Sequence, residues 1–463
     1  MSLLRWTGFR GDRARFATLG VCLFTIILAL AGGSARADVA SQVVVRSAAV
    51  LAIACTLATR GSPLSNPSLR PLFWLLASLA ALIAAQLVPL PPGLWLSLPG
   101  RAHYAEAAAM LGQPQPWRPL NLTPDLGWNA LLALLPCAAV LVFAAVARGR
   151  ETRLEPTLLI TVAVASALLG IAQLSGGPES ALRYYHESSI GSPTGLFTNR
   201  NHQAMLLACA LPVIAYWATD RESTIVHGQA RVLIASFIAL LLVLVIAASG
   251  SRAGLALGIA GILISGSIAW PRFMIAGRRR RPGSAIAVAV GVLLLVVSAA
   301  LALYHADRLS SVNRLLALGD QDMRWEWLEP ALRIVRDFFP WGTGFGSFDP
   351  VFRQYEPFEQ LRFTYVNELH NEFVQLVLEA GLPGLILAGI FAAGWIAQCI
   401  RIVRAPASRT RLLALVGAAI TAMLIAASAV DYPLRTPLLS GVFVLAASWM
   451  LAVGRASHRQ LSD

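Results

Sequence analysis

Long apolar runs separated by short polar segments extend along most of this chain of 463 residues. A run of about 20 apolar residues is long enough to cross a lipid bilayer as an α-helix. The candidate runs lie at 16–33, 39–58, 71–90, 127–147, 156–174, 201–218, 232–249, 253–270, 284–304, 373–399, 411–430 and 436–453. The pattern predicts an all-α polytopic integral membrane protein with about 12 transmembrane helices, organised as a single domain over residues 1–463.

The first of these runs has a second interpretation. Ala35, Arg36 and Ala37 follow it with the small-x-small pattern of a signal-peptide cleavage site. The run is longer than a typical signal core, which favours an uncleaved anchor, but the sequence does not decide whether it is removed.

Composition supports the membrane class and narrows the chemistry. The chain is 57% hydrophobic and 13% charged, whereas soluble domains carry about 25% charged residues. All 37 basic residues are arginine, because the sequence contains no lysine. Schiff-base chemistry and a phosphate-loop lysine are therefore excluded, and any phosphate must be bound by guanidinium groups.

The distribution of arginine predicts the orientation. With the N-terminus inside, the inside segments hold 22 of the arginines and carry a net charge of +16, while the remainder carries −3. Because cytoplasmic loops are enriched in Lys and Arg, both termini are expected in the cytoplasm. The Arg278–Arg281 run is then best interpreted as an anchor for anionic membrane lipids, and no nucleic acid partner is expected.

Two long segments fall outside under this topology, at 91–126 and 305–372. Within the second, apolar residues recur at helical spacing from Trp325 to Phe339. We expect a helix with Trp325, Leu328, Leu332, Val335 and Phe339 on one side, lying against the outer membrane face or over the helix bundle.

Polar residues that are unusual in membrane helices gather on the same outer side. His370 marks the point where the long outer segment becomes a helix, with Gly381 and Gly384 near the same azimuth, where they would admit a neighbouring helix. Pro383 would bend that helix. Three further polar groups lie at outer helix ends or in outer turns, at 199–202, 249–252 and 431–435, and Arg46, Gln86 and Gln173 lie near other outer ends.

Arginine and histidine in this arrangement suit transfer from a lipid-linked diphosphate. A helix N-terminus favours anions, and planar guanidinium binds phosphate in a bidentate way. Positioned Arg would neutralise the leaving group, and His370 would take the proton of an acceptor hydroxyl. The candidate catalytic residues are His370 and Arg252, and the candidate diphosphate or glycan ligands are Arg324, Arg200, Asn199, His202, Asp431 and Arg435.

Structural interpretations remain open for several of these residues. Arg46 and Arg252 at helix ends could contact lipid headgroups, and Asn199 could be only an N-cap. Asp431 and Arg435 could pair with each other and fix their turn. Arg324 could stack on an aromatic ring instead of reaching the site.

No cofactor and no metal site are predicted. The Asp320-Gln-Asp322 spacing is a weak metal–nucleotide signal, because nucleotide-sugars are absent outside the membrane. The five cysteines lie inside apolar segments, which suits small core residues and not a disulfide framework or a zinc site.

Several of these motifs together resemble the bacterial O-antigen ligase and O-antigen polymerase superfamily. His370-Asn371 followed after nine residues by Gly381-Leu-Pro-Gly384 matches the ligase pattern H-[N/S/Q]-x9-G-x-x-G. The resemblance extends over about residues 190–440 and rests on further blocks in the same order. These blocks are 195–204, Ser251-Arg252, Arg324, 339–346 and 431–435.

The resemblance implies a metal-independent, inverting glycosyltransferase of the bacterial inner membrane, with its active site facing the periplasm. The donor would be an undecaprenyl-diphosphate-linked glycan, and the acceptor would be lipid A–core in a ligase or a growing glycan in a polymerase. His370 would activate the acceptor, while Arg252 and Arg324 would hold the diphosphate. Arg200 and Asp431 carry over as site residues without a defined role.

Other classes remain alternatives. A transporter or flippase would need polar groups along a path through the bilayer, and the inner halves of these helices offer few. A non-catalytic partner of envelope polysaccharide assembly is a third possibility. Ligase or polymerase, the glycan and acceptor, and the oligomeric state are not decided by the sequence.

Overall fold

The computed structural model describes residues 18–147, 150–177, 180–185, 189–219, 228–277, 324–361 and 365–453, with side chains omitted at 150–153, 228–229, 271–277, 324–325 and 360. The helices, in chain order, are α1 (Thr18–Ala31), α2 (Ala40–Arg60), α3 (Arg70–Gln86), α4 (Pro92–Leu96), α5 (Ala102–Met110), α6 (Pro124–Leu132), α7 (Leu134–Val146), α8 (Arg150–Ser175), α9 (Arg200–Thr219), α10 (Gly228–Ala248), α11 (Arg252–Gly277), α12 (Arg324–Phe338), α13 (Phe348–Phe352), α14 (Glu372–Arg404), α15 (Arg409–Ala427) and α16 (Pro437–Met450). Strands β1 (Pro89–Leu90) and β2 (Arg118–Pro119) form a short antiparallel hairpin.

The all-α polytopic membrane class is confirmed. Within the described residues, nine helical segments are long and apolar enough to cross a membrane, and two shorter apolar helices, Thr18–Ala31 and Pro437–Val453, accompany them. These eleven correspond to eleven of the predicted spans. The remaining predicted span, 284–304, and the Arg278–Arg281 run lie outside the described residues, so the number twelve is not established.

Helix α9 is the most deeply buried of the spans, with residues 202–216 buried without interruption. Glycines let α11 pack closely along it. A Cβ added at Gly254 would lie 2.2 Å from the Cβ of Ala204, and one at Gly261 would lie 2.9 Å from the carbonyl oxygen of Ala208. Because the contacts advance in the same direction along both helices, α9 and α11 run parallel and their N-termini are neighbours.

The end of α1 meets the start of α16 and the loop before α9. The carbonyl oxygen of Gly32 accepts a hydrogen bond from the Leu438 amide at 2.9 Å, and that of Gly33 accepts from Thr198 at 3.2 Å. A Cβ at Gly33 would lie 1.8 Å from the Leu196 carbonyl oxygen, so only glycine fits there. We call this end of the bundle, with the C-terminus of α1 and the N-termini of α9, α11 and α16, the site end.

The segment predicted at 91–126 forms a small cap built around a buried arginine. The guanidinium of Arg101 donates to the carbonyl oxygens of Leu120 at 2.9 Å and Gly342 at 3.3 Å. It also lies 5.4 Å from the ring centroids of both Trp95 and Phe338. These contacts join the cap to α12 and to the loop after it.

Helix α12 exists as predicted, and the face that it turns to the protein lies beside the predicted apolar stripe. The side of α12 that faces the protein carries Ala331, Ile334 and Phe338, whereas Leu332 and Phe339 are 46% and 44% exposed. The buried stripe is displaced by one residue, which is a rotation of about 100°. Close packing near Gly100, where a Cβ would lie 2.6 Å from the Phe338 ring, selects this face.

The predicted role of the glycines in α14 also needs correction. The helix is interrupted at Gly381, whose φ is 57° and ψ is −143°. A loop, not a helix, approaches there, since a Cβ on Gly381 would lie 2.1 Å from the Pro340 carbonyl oxygen. That oxygen accepts a hydrogen bond from the Leu382 amide at 2.8 Å. The break in the helix therefore lies at Gly381, two residues before Pro383, and the atoms nearest to a Cβ at Gly384 belong to Ala380 and Leu376 of α14 itself.

Candidate active site

His370 lies immediately before α14 in a left-handed backbone conformation with φ of 60°. This conformation costs a residue other than glycine on the order of 1–3 kcal/mol. The imidazole Nδ1 lies 2.9 Å from the carbonyl oxygen of Glu368. The ring packs between Trp327 of α12 and Tyr432, with centroid distances of 5.5 Å and 4.7 Å.

The start of α14 is held by side chains on both sides of His370. The Asn371 side chain caps the helix by accepting from the Val374 amide at 3.1 Å. The Glu372 carboxylate accepts a hydrogen bond from the Ser428 hydroxyl at the end of α15, and the Glu372 amide donates to the Ser428 carbonyl oxygen at 2.8 Å. His370 is therefore fixed to the α14–α15 pair.

Arg435 lies between two carboxylates. Its guanidinium pairs with Glu368 at 3.3 Å and with the fully buried Glu379 at 2.9 Å. Burial raises the pKa of the Glu368 carboxyl to about 7, although the charge of Arg435 acts in the opposite direction. Burial lowers the pKa of Arg435, but the charges of the two carboxylates raise it by more, so the net shift is upward. The protein itself therefore neutralises this guanidinium.

Asp431 forms a second buried pair. One carboxylate oxygen lies 3.4 Å from His202 Nε2, and the other accepts a hydrogen bond from the Asn201 side chain at 2.6 Å. Neither Asp431 nor His202 is exposed. The alternative prediction that Asp431 and Arg435 pair with each other is wrong, because each turns to a different helix.

Tyr432 connects the two histidines. Its ring meets His370 at 4.7 Å and His202 at 4.9 Å, both edge-to-face. Burial and the nearby carboxylates of Asp431 and Glu368 raise the pKa of the phenol, while hydrogen bonds with the Asn199 and Asn367 side chains lower it. Asn199 thus contributes more than a helix cap.

Two of the candidate arginines begin helices at the site end. Arg200 begins α9, and its guanidinium donates to the Ser192 hydroxyl at 3.3 Å. Arg252 begins α11, where the Ser251 hydroxyl accepts a hydrogen bond from the Gly254 amide at 2.9 Å. The contact of Gly254 with Ala204 brings these two N-termini together. Arg324 begins α12, but its side chain lies outside the described part of the chain.

Three other polar residues near helix ends have structural partners. Arg46 donates to the Asn129 side chain at 2.7 Å. Gln86 donates to the Glu379 carbonyl oxygen at 3.0 Å and accepts from the Phe345 amide at 3.0 Å. Gln173 accepts from the Gly195 amide at 2.8 Å and orders the loop before α9.

Sequence reasoning missed several residues of this cluster. Glu372, Gln375 and Glu379 lie on one face of α14 at helical spacing, and Glu368 precedes them by one turn. Their spacing on an otherwise apolar helix was the available signal. Among the described residues, no group of three or more His, Cys, Asp or Glu side chains could hold a metal ion.

The chain is therefore a multi-pass, all-α membrane protein in which His202, His370, Arg200 and Arg252 lie at one end of the helix bundle. Residues 237–389 match the family model described as O-antigen ligase. The match includes Arg252, Arg324 and the His370–Gly384 motif, and it confirms the resemblance to the O-antigen ligase and polymerase superfamily. This family works on lipid-linked glycans in membranes. No curated protein matches the chain.

Proposed function

We propose that this protein transfers a glycan from undecaprenyl diphosphate to an acceptor hydroxyl at the periplasmic face of the bacterial inner membrane. The observation that carries the proposal is the position of His370, whose Nδ1 faces the Glu368 carbonyl oxygen at 2.9 Å while its ring contacts Tyr432 beside Asp431. The neighbouring N-termini of α9 and α11 bring Arg200 and Arg252 to the same end of the bundle. The O-antigen ligase match supports the reaction class.

His370 is the general base in this reaction. With its proton on Nδ1, the ring donates to the Glu368 carbonyl oxygen and carries its lone pair on Nε2. Nε2 takes the acceptor hydroxyl proton as the acceptor oxygen bonds to the anomeric carbon. The bond from that carbon to the phosphate oxygen breaks, and its electron pair leaves with undecaprenyl diphosphate. A single displacement of this kind inverts the anomeric centre.

Arg252, Arg200 and Arg324 are the proposed ligands of the diphosphate. Arg252 and Arg200 each begin a helix whose backbone amides and dipole also favour an anion. Fixed donors aimed at the departing diphosphate stabilise the charge that develops in the transition state. No metal ion is required by this arrangement.

The buried residues take supporting roles. Asp431, His202 and Asn199 hold Tyr432, and Arg435 holds Glu368 and Glu379. Asp431, His202, Asn199 and Arg435 were predicted as glycan or diphosphate ligands. We instead assign all four to the support of His370.

The test is turnover by the purified protein in proteoliposomes that contain an undecaprenyl-diphosphate-linked glycan. Release of undecaprenyl diphosphate is expected, and His370→Ala should lower the rate on the order of 10²–10⁴-fold. His103→Ala is the matched control, because His103 is exposed and lies 3.9 Å from Glu106 in the cap. Full turnover by His370→Ala would show that the base is another group.

The same assay separates the remaining alternatives. Lipid A–core and a second lipid-linked glycan, supplied separately, distinguish ligase from polymerase by which one is extended. Addition of EDTA should leave the rate unchanged. Transbilayer movement of the donor without release of undecaprenyl diphosphate would favour a flippase.

A further inference from the structure

The backbone at His370 adopts a left-handed conformation that contacts with neighbouring groups must stabilise. Among the described residues, it is the only one other than glycine with a positive φ, at 60°. Such a conformation persists only where neighbouring groups over-determine it. The residues just before His370 identify those groups.

A single buried amide holds both of the residues that precede His370. The side-chain oxygen of Gln375, in the first turn of α14, accepts a hydrogen bond from the Leu369 amide at 2.9 Å. Its side-chain nitrogen donates to the Glu368 carboxylate and, at 3.2 Å, to Glu379 Oε1. Gln375 has no exposed surface.

Arg435 completes a ring of four side chains. Its guanidinium binds the same two carboxylates, Glu368 at 3.3 Å and Glu379 at 2.9 Å. Glu368 is therefore fixed by Gln375 and Arg435 together. Its carbonyl oxygen, which lies 2.9 Å from His370 Nδ1, is fixed with it.

We propose that Gln375 is a positioning residue for His370. By holding Glu368 and Leu369, it aims the Glu368 carbonyl oxygen at Nδ1, which keeps the proton there and leaves the lone pair on Nε2. This inference rests on the proposed function, in which Nε2 is the base. It gives Gln375 no contact with the substrate.

Substitution of Gln375 should therefore lower kcat more than it changes KM. Gln375→Leu removes all three side-chain hydrogen bonds and is expected to lower kcat about 10–100-fold, because a misplaced catalytic group costs on that order. The KM for the lipid-linked donor should stay within about threefold. Equal kcat in Gln375→Leu and wild type would overturn the proposal.

A matched control lies on the same helix. Gln398 is also buried in α14, where its side chain donates to the Met450 carbonyl oxygen at 2.7 Å. It lies about 35 Å along the helix axis from Gln375. Gln398→Leu removes a buried amide from α14 without touching the site, so its kcat should equal that of wild type. An equal loss in both variants would show that destabilised helix packing causes the effect.

Gln375→Glu provides a readout that a general packing defect would not give. At neutral pH it adds a carboxylate in contact with those of Glu368 and Glu379. The other charged groups that act on this ring are Arg435, Glu372 and Asp349. Protonation of the new carboxyl restores a donor at the same place. The activity of Gln375→Glu relative to wild type should therefore rise as pH falls from 8 to 5.5, and a flat ratio would contradict the proposal.

A spectroscopic measurement separates this inference from the function itself. In protein with ¹⁵N-labelled histidine, the His370 signals, identified by their loss in His370→Gln, should show a protonated Nδ1. In Gln375→Leu they should shift toward a mixture of tautomers. This result would support the positioning role even without glycan transfer, and an unprotonated Nδ1 in wild type would overturn it even if transfer occurs.

Arg435→Lys tests the same ring if Gln375→Leu does not fold. A single ammonium keeps the positive charge but cannot donate to both carboxylates in the geometry of a guanidinium. It should reproduce the fall in kcat at nearly constant donor KM. Wild-type kcat in Arg435→Lys with the His370 tautomer unchanged would count against the ring.

Discussion

The imidazole of His370 and the phenol ring of Tyr432 meet edge-to-face, with their centroids 4.7 Å apart and their planes at 79°. The two residues are 62 positions apart in the chain. Tyr432 reaches His370 because Asp431, its neighbour, is held against α9 by His202 and Asn201. The position of the proposed base thus depends on a turn between two other helices.

Two Tyr432 variants should distinguish the contribution of the ring to kcat from that of the hydroxyl. Tyr432→Phe keeps the contacts with both histidines and loses the hydrogen bonds with Asn199 and Asn367, so we expect a severalfold fall in kcat. Tyr432→Ala removes the support of His370 and should cost about 10²-fold, because catalytic geometry is sensitive to shifts of about 1 Å. Steady-state assays of both variants check this. Equal losses would mean that the hydroxyl, and not the ring, is the important group.

The His202–Asp431 pair should show strong coupling in a double-mutant cycle. Removing one partner leaves the other polar group buried without its polar neighbour, which costs on the order of 1–3 kcal/mol. His202→Gln and Asp431→Asn should each lower thermal stability. The double variant should lose less stability than the sum of the losses in the two single variants. The unfolding midpoint in detergent is the measurement. Strict additivity would show that the two side chains do not interact.

Glu368 should make stability depend on pH. Its pKa rises from 4.5 to about 7 on folding, chiefly through burial. Between these values the folded protein binds a proton that the unfolded chain has released, so stability falls as pH increases from about 5 to 8. Glu368→Gln should flatten this slope in thermal unfolding. Glu359→Gln, which removes an exposed carboxylate in the same segment before α14, should keep the wild-type slope. A slope that persists in Glu368→Gln would assign it to other groups.

The bundle was largely predictable because each membrane span must be apolar along its own length. The eleven spans in the described residues coincide with apolar runs, and the turns at 199–202, 249–252 and 431–435 lie between or before them. His370 was predictable for the same reason, since it stands where a polar segment becomes an apolar helix. Such local patterns require no knowledge of the partners.

The predictions that need correction concern contacts between segments that are distant in the sequence. The stripe predicted for α12 was chosen from its large side chains, whereas the residues that are buried are Ala331, Ile334 and Phe338, the last of which contacts the cap. Gln375 and Glu379 were missed because each is an isolated polar residue within an apolar run. Arg435, which pairs with Glu379, lies 56 residues further along the chain, so the local sequence of α14 does not indicate the interaction. Gly381 was assigned to helix packing because the approaching loop at Pro340 has no signature in the sequence of α14.

The break at Gly381 gives a stability prediction with an internal control. Gly381→Ala would place a Cβ 2.1 Å from the Pro340 carbonyl oxygen at a φ of 57°, so both the contact and the backbone oppose it. We expect a loss of more than about 1 kcal/mol in unfolding free energy, together with lower activity, because α14 positions Gln375 and Glu379. Gly389→Ala lies eight residues further along the same helix, where a Cβ meets nothing within 4 Å. It should be neutral or stabilise by about 0.5–1 kcal/mol, since alanine is the better helix former. Thermal unfolding of the two variants in the same detergent compares them directly, and an equal effect of both substitutions would mean that the loop at Pro340 does not insert at Gly381.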